Sequence, residues 1–198
     1  MAHLYLLNGP PRSGKDTVAH IMTEDLFRGR HLKLAAELKE RTHGAYRLLR
    51  HDGKPFDHDA YEAQKDVPRE AFMGMTPRAA YIAFHEWYLK PMHGPAVLGR
   101  LLIEREMRLA IRSERYPWTS GVTVVSDAGD AVQCQPLLLA WGPSNVTLVH
   151  LSRPGCEWTD NRVSFDLPGV ETVELKNNGS TWLDLRDEIQ KVIPETRD

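Results

Sequence analysis

Apolar positions along the chain follow two different periods, and the segments with each period alternate. Short continuous apolar or β-branched runs predict buried strands, whereas apolar residues three and four positions apart predict amphipathic helices. The predicted strands are residues 3–8, 31–35, 122–126, 146–151 and 170–175. The predicted helices are residues 17–27, 37–50, 77–90 and 96–115, and a last one after Ser180. This alternation predicts an α/β fold with a parallel sheet and right-handed crossovers.

Some of these helices have recognisable ends. Thr76 followed by Pro77 is typical of an N-cap and a first helical position, and Pro91 predicts the end of that helix. Ser180 is the predicted cap of the last helix. Residues 51–60 are polar, contain glycine and proline and lack apolar periodicity, so we expect a loop there.

A glycine-rich loop joins the first strand to the first helix. It reads GPPRSGKDT from Gly9 to Thr17, with Lys15 directly after the second glycine, Gly14. Glycines let the backbone approach a polyphosphate closely, while loop amides and the positive end of the helix dipole point at it. The lysine adds a point charge for the outer phosphates. Strand, loop and helix in this order predict a nucleoside triphosphate site rather than a plain glycine turn.

Position 16 carries a carboxylate where such loops usually carry a magnesium-binding hydroxyl. Asp16 could hold the metal directly or through water, and Thr17 could hydrogen-bond a phosphate. Alternatively, Asp16 only stabilises the first turn of the helix, as acidic residues do there. The sequence leaves both roles open.

A second acidic residue, Asp127, ends the β-branched run of residues 122–126. In a chain that also holds a phosphate loop, the carboxyl end of a buried strand is where a magnesium-ordering aspartate belongs. The other interpretation is that Asp127 caps the next structural element. The pattern favours the metal role.

The composition is that of a soluble globular protein. The 198 residues suit one domain, 41% of them are hydrophobic and 26% charged, and the formal net charge is -2. We therefore expect no nucleic-acid polymer as partner. No apolar run is long enough for a membrane span and no signal-peptide pattern opens the chain, so we expect no membrane partner and a cytoplasmic location. The two cysteines, Cys134 and Cys156, lack metal-ligand spacing and predict free thiols.

Several cationic residues are candidates for phosphate binding. Lys39 falls on helix 37–50, where a solvated surface charge is the default interpretation. Arg78 falls in the first turn of its helix, where it opposes the helix dipole, and this favours an anionic partner nearby. Arg153 and Arg162 lie in a polar segment rich in glycine and proline, which we predict to be a lid.

Several segments together resemble the deoxynucleoside monophosphate kinases of bacteriophages, a branch of the P-loop nucleoside monophosphate kinases. The resemblance covers nearly the whole chain and is most specific in RSGKDT at 12–17 and HLSRPG at 150–155. The looser segments are LAAELKE at 34–40, TPRAAYIAFHEWYLKP at 76–91, GR at 99–100, VVSD at 124–127 and NNGS at 177–180.

The resemblance implies transfer of the γ-phosphate of ATP to a deoxynucleoside 5′-monophosphate, with Mg²⁺ as cofactor. It implies a three-layer P-loop fold with a five-stranded parallel sheet, a helical substrate-binding region at 35–115 and a lid at 153–168, all in a single domain of residues 1–198. A homodimer is plausible on the same basis, and so is a place in the host cytoplasm.

The resemblance also implies roles for individual residues. The ATP site would comprise Gly9, Arg12, Ser13, Gly14, Lys15, Asp16, Thr17, Asn177, Asn178 and Gly179. The substrate site would comprise Lys39, Arg78, Glu86, Lys90 and Arg100. The catalytic residues would be Lys15, Asp127, Arg153 and Arg162, and the metal ligands Asp16 and Asp127.

One departure from the family pattern concerns the residues after Asp127. Family members commonly carry an arginine shortly after this aspartate, whereas here Ala128, Gly129 and Asp130 follow. Either a lid arginine substitutes for it or catalysis is weaker. Two other interpretations stay open. One is a P-loop kinase for another small acceptor, and the other is a non-catalytic ATP-binding module, which the missing arginine would favour. The sequence does not identify which bases are accepted.

Overall fold

The computed structural model describes residues 2–46, 64–113, 121–158, 163–179 and 181–193. The strands are β1 His3–Asn8, β2 Arg30–Leu32, β3 Val122–Val125, β4 Val146–Ser152 and β5 Glu171–Lys176. The main helices are α1 Lys15–His20, α2 Ala35–Ala45, α3 Pro77–Phe84, α4 Val97–Ser113, α5 Ala131–Trp141 and α6 Trp182–Val192. A π turn, Ile21–Leu26, prolongs α1, and short 3₁₀ turns lie at Glu70–Phe72 and Pro143–Asn145.

The five strands form one sheet in the order β2-β3-β1-β4-β5, and every pairing in it is parallel. The central strand β1 pairs with β3 through Leu4 and Thr123 and with β4 through Leu4 and Val146. Because all strands run the same way, their carboxyl ends share one edge of the sheet. The phosphate loop leaves β1 at that edge. The predicted α/β class with a five-stranded parallel sheet flanked by helices is confirmed.

Side chains on the two faces of the sheet belong to two separate cores, which makes the molecule three layers thick. On one face Leu4, Leu6 and Leu148 pack with Leu137 and Trp141 of α5. On the other face the residues that pack together come from strands, from α1 and from α6. They include Tyr5, Leu7, Val149, Val18, Ile21, Leu185 and Ile189. The alternation along each strand produces this division, since successive side chains point to opposite faces.

The helical region between β2 and β3 has its own small core. Leu38 of α2, Tyr81 of α3 and Leu101 of α4 pack around the fully buried Phe72. His43 and Tyr81 share a hydrogen bond of 2.8 Å and complete this cluster. The predicted helix 37–50 is observed as Ala35–Ala45, and residues 47–50 and the predicted loop 51–60 lie outside the described residues.

Two of the predicted helix ends differ in the structure. The helix that begins at Pro77 does not end at Pro91, because a π turn at His85–Leu89 leads into a further helical turn, Lys90–His93. The wider turn tolerates the missing proline N–H, and Gly94, with φ 80°, ends the helix. Ser180 lies outside the described residues, and the cap of α6 is Thr181, which forms a capping box with Asp184.

Helix α5 was not predicted. Asp130 caps it through a 2.8 Å bond from the amide of Val132, and Gly142 ends it. Both signals are visible in the sequence, but Pro136 lies in the helix interior and argues against a helix there. The cap at Thr76, in contrast, is confirmed, since its hydroxyl accepts the amide of Ala79 at 3.1 Å.

Candidate functional site

The loop between β1 and α1 is shaped by close backbone contacts. Gly14 has φ 98°, and a Cβ on it would lie 2.6 Å from Nδ2 of Asn177, so only glycine suits this position. A Cβ on Gly9 would lie 2.5 Å from the carbonyl oxygen of Leu151. Arg12 also has positive φ, at 65°. The loop is therefore compact, and it has positive φ angles close together at Arg12 and Gly14.

Two polar groups of the loop have unusual surroundings. The ammonium group of Lys15 donates to the carbonyl oxygens of Gly9, at 2.7 Å, and of Pro10, at 2.8 Å, so it lies against the entrance of the loop. The hydroxyl of Ser13 is buried and has no hydrogen-bond partner among the described residues. A buried polar atom without a partner is costly, and a ligand oxygen in the loop would offset that cost. Both observations fit a bound polyphosphate.

Asn177, at the end of β5, holds the loop from behind. Its side chain is buried and donates to the carbonyl oxygen of Ser13 at 2.8 Å, and its own amide donates to Ser152 at 2.8 Å. Asn178, in contrast, is exposed, and Gly179 is packed against Asp184. Asn177 thus fixes the shape of the loop, whereas Asn178 is available at its rim.

Asp16 is held by two side chains of the neighbouring strands and loops. Ser126 donates its hydroxyl to Oδ1 at 2.6 Å, and Lys33 donates to Oδ2 at 3.0 Å. His31 lies 2.7 Å from the Ser126 oxygen, and it must donate Nε2–H there because the serine proton points to Asp16. Burial alone would raise the pKa of Asp16, but the bonds from Ser126 and Lys33 outweigh it and lower the pKa.

Asp127 connects the carboxyl end of β3 to the start of α2. Its two carboxylate oxygens accept the backbone amides of Leu34, at 2.7 Å, and Ala35, at 2.9 Å. Burial raises the pKa of this carboxyl above its ordinary value, and the two amide bonds only partly offset that effect. Asp127 therefore binds the start of the earlier helix α2, whereas the next element after it, helix α5, is capped by Asp130. Each oxygen has a second acceptor position, so the contacts leave a metal role possible.

The residues after Asp127, where an arginine was expected, have structural contacts of their own. The carbonyl oxygen of the buried Ala128 accepts the side-chain amide of Asn8 at 2.9 Å. Asp130 caps α5. This tight junction between β1 and β3 keeps the phosphate loop and Asp127 at the same edge of the sheet.

The predicted substrate residues lie on the helical region, and most of them already have partners. Arg78 pairs with Asp66 through two contacts, of 2.6 and 3.4 Å, so an anionic partner of this arginine is present within the chain. Glu86 accepts from Lys90 at 2.9 Å and contacts His85 at 2.9 Å. The bond from Lys90 lowers the pKa of Glu86. Hydrogen bonding thus joins two predicted substrate residues to each other.

Lys39 and Arg100 differ from these pairs. The ammonium group of Lys39 lies 5.9 Å from the centre of the Tyr81 ring, within the range of a cation–π contact. Arg100 is exposed, and its side chain makes no hydrogen bond or ion pair with another residue in the described part of the chain. It lies over Gly94, where an added Cβ would be 3.5 Å from its Nη2.

The predicted lid is described in part. Arg153 lies against the phosphate loop, with its Nη1 3.5 Å from the carbonyl oxygen of Arg12. Arg162 lies outside the described residues. Near the end of the predicted lid, the carbonyl oxygen of Phe165 accepts Nε2–H of His150 at 2.9 Å. The Nδ1 atom of the same ring lies 3.0 Å from the carboxylate of Glu174. A cavity of about 340 Å³ lies between this segment and Gly9–Pro10.

Four polar residues near the carboxyl edge of the sheet were not predicted from the sequence: Asn8, His31, Lys33 and Ser126. Asn8, Lys33 and Ser126 lie at or just after the carboxyl end of a strand, which is the only signal that could have indicated them, and His31 is the middle residue of β2. Their partners are remote in sequence, so spacing could not reveal the contacts. Among the residues that the structure describes, no group of three or more His, Cys, Asp or Glu side chains could hold a metal ion.

Comparisons with known proteins add little to this description. No protein-family model matches the chain, and no curated protein matches it either. Among solved structures, the chain is similar to a sugar kinase from Janibacter sp. HTCC2649, crystallised without ligand. The sequences are 13% identical, the TM-score is 0.42, and the match covers 98% of this chain and 95% of that one. A similarity this distant does not bear on activity. No helix in the described ranges is long and apolar enough to cross a membrane.

Proposed function

We propose that this protein is an ATP-dependent kinase that phosphorylates a deoxynucleoside 5′-monophosphate. The observation that carries the proposal is the phosphate loop. Gly9 and Gly14 let the loop pack closely against Leu151 and Asn177, the buried Ser13 hydroxyl lacks a partner among the described residues, and the ammonium group of Lys15 lies at the start of the loop. ATP would bind along this loop, with its adenine beside Asn178 at the rim.

The acceptor would bind to the helical region between β2 and β3. In support of this assignment, Asp127 fixes the first residues of α2 at the same edge of the sheet as the phosphate loop. Lys39, Arg78 and Arg100 would offer cations for its phosphate. Arg78 would then exchange its contact with Asp66 for the ligand, whereas Arg100 would need no exchange. The nucleotide class of the acceptor rests on the sequence resemblance.

Phosphoryl transfer requires little covalent help from a protein. It requires alignment of acceptor and donor, and cations around the oxygens of the group in transfer. Lys15 would provide one cation, and Arg153, already in contact with the loop, would provide another from the lid. Arg162 is proposed for the same role on the resemblance alone. A closed lid would exclude water, which competes as an acceptor.

Magnesium fits the oxygen ligands at this edge. Asp16 would hold it, directly or through a water molecule, and Asp127 would add a second carboxylate oxygen. The ion would neutralise charge on the β- and γ-phosphates during transfer. Direct coordination at Oδ2 would bring the cation beside the ammonium group of Lys33, and the two positive charges would repel each other.

The experiment is to measure ADP production from ATP and magnesium with dAMP, dGMP, dCMP, dTMP or dUMP. A sample without acceptor reports background hydrolysis. We expect release that depends on one or more of the five acceptors. Lys15→Ala should lower it on the order of 100-fold or more, by analogy with removal of one preorganised transition-state donor.

The control variant is Lys191→Ala, which removes an exposed lysine that pairs with Glu188 on α6. It should behave as wild type. Wild-type turnover in a folded Lys15→Ala protein would contradict the role of Lys15. Silence with all five acceptors, in a protein that binds ATP, would favour another small acceptor or a binding module.

A further inference from the structure

The aspartate that follows the loop lysine creates an electrostatic problem. Residue 16 lies in the first turn of α1, next to the place proposed for the nucleotide phosphates. A carboxylate there repels a polyphosphate, whereas the hydroxyl usual at this position does not. A divalent cation would remove the repulsion when it is present. In its absence, the chain itself must supply a counter-charge or accept weaker binding.

Among the described residues, Lys33 is the closest ion-pair partner of Asp16. Its ammonium nitrogen lies 3.0 Å from Oδ2, and the two side chains are 38% and 66% exposed. The other nearby base, His31, lies 3.8 Å from Oδ1. Burial and the charge of Lys33 both lower the pKa of His31, and its Nε2–H is donated to Ser126 at 2.7 Å rather than to Asp16. The full positive charge beside Asp16 is therefore that of Lys33.

The backbone around Lys33 is held in place from two sides. Residue 33 links β2 to α2, and the next two amides, of Leu34 and Ala35, are bound by Asp127. The preceding residue, Leu32, accepts the amide of Ser126 at 3.3 Å. The start of the Lys33 side chain is thus fixed relative to β3, so the ammonium group does not depend on a free loop to reach Asp16.

We infer that Lys33 is the built-in counter-ion of Asp16, which neutralises this carboxylate beside the nucleotide phosphates whenever no metal ion does. The inference rests on the proposed function, since it assigns Lys33 a role at that nucleotide site. Lys33 is then a positioning residue that acts through Asp16 and touches no phosphate. Magnesium and Lys33 compete for the same carboxylate oxygen.

The experiment measures the dissociation constant of ATP by calorimetry, first in EDTA and then in excess magnesium. The proteins are wild type, Lys33→Met, Asp16→Asn, the double variant and Lys33→Arg. Without metal, Lys33→Met should bind ATP about tenfold more weakly, the effect of one unneutralised charge about 6 Å from a phosphate charge at an effective dielectric constant of about 40. Lys33→Arg should remain close to wild type because it keeps the charge.

The double variant decides between the two ways in which a lysine could act. If Lys33 acts by neutralising Asp16, removal of the carboxylate should restore metal-free affinity to within about threefold of wild type. If Lys33 instead contacts the phosphates, the double variant should bind as weakly as Lys33→Met, and the inference is overturned. Unchanged metal-free affinity in Lys33→Met also overturns it.

Magnesium provides a second readout. Addition of magnesium should improve ATP binding more in Lys33→Met than in wild type, because the released carboxylate becomes free to take the cation. An equal improvement would contradict the proposed competition. Thermal unfolding checks that each variant is folded, and Lys33→Gln replaces Lys33→Met if the latter is not.

Failure of the inference and failure of the proposed function give different results. ATP binding that is the same in wild type and Lys33→Met removes the counter-ion role and leaves the kinase proposal intact. A wild-type protein that binds no ATP under either condition overturns both. Lys191→Met is the matched control, since it removes the same charge from an exposed pair on α6.

Discussion

The side-chain amide of Asn177 donates a hydrogen bond of 2.8 Å to the carbonyl oxygen of Ser13, 164 positions away in sequence. Both residues are buried. This bond joins the end of β5 to the phosphate loop. Asn177→Ala would leave the Ser13 carbonyl buried without that donor. We expect a loss of about 1–3 kcal/mol in the free energy of unfolding, measured by urea denaturation.

The exposed neighbour Asn178 provides the matched control. Asn178→Ala should change the free energy of unfolding by less than about 0.5 kcal/mol, because its side chain is solvated. Equal losses in the two variants would show that the Ser13 contact does not stabilise the loop.

Two glycines in helices should respond in opposite directions to the same substitution. Gly99 of α4 is buried where α4 crosses α5, and a Cβ on it would overlap the carbonyl oxygen of Gln133 and touch Pro136. Gly99→Ala should destabilise the protein by about 1–3 kcal/mol through overpacking. No described residue would lie within 4 Å of a Cβ on Gly44 of α2, so Gly44→Ala should stabilise the protein by about 0.5–1 kcal/mol. Thermal unfolding of both variants measures whether each is less or more stable than wild type. Destabilisation by Gly44→Ala would contradict the prediction for the exposed helix position.

The two cysteines should differ in reactivity. Cys134 is buried, and burial, together with the nearby Asp130 and Asp127, raises the pKa of its thiol to about 12. At pH 8 only on the order of 1 in 10,000 of these thiols is ionised, and the thiolate is the reactive form. Native protein treated with iodoacetamide should therefore gain one adduct, at the half-exposed Cys156, as read by mass spectrometry. A native adduct on Cys134 would show that this core opens readily.

Asp16 and Asp127 should give opposite contributions to the pH dependence of stability. The native pKa of Asp16 is below the ordinary value of 3.8, so its contribution is present above pH 3.8 and is lost as pH falls through the native pKa. The native pKa of Asp127 is above 3.8, so the native state binds more protons there, and its contribution falls as pH rises from 3.8 through the native pKa.

Urea denaturation between pH 3 and 7 tests this for wild type, Asp16→Asn and Asp127→Asn. The stability advantage of wild type over Asp16→Asn should shrink towards low pH. Its advantage over Asp127→Asn should shrink towards high pH. Parallel curves for either pair would mean that the carboxyl in question titrates alike in the folded and unfolded chain.

Local sequence was sufficient for most of the framework. The strands at β1, β3 and β4 and the cap at Thr76 follow from short-range patterns, because burial of a strand and satisfaction of a helix N-terminus are both decided within a few residues. The prediction missed α5, although its cap at Asp130 and its end at Gly142 are visible in the sequence, and the helix accommodates Pro136 in its interior. It also ended the helical segment that begins at Pro77 too early, at Pro91, because no local sequence pattern predicts the π turn at His85–Leu89.

The sequence by itself determined the α/β class and the glycine-rich loop with Lys15, because glycine spacing and apolar periodicity encode both locally. Only the tertiary structure decided which side chains meet at the carboxyl edge of the sheet. The bonds of Asp16 with Lys33 and Ser126, of Asp127 with the start of α2, and of Asn177 with Ser13 all join residues that follow different strands of the sheet. Strand order fixes these contacts, and strand order depends on how the two faces of the sheet are covered, which no short stretch of sequence contains.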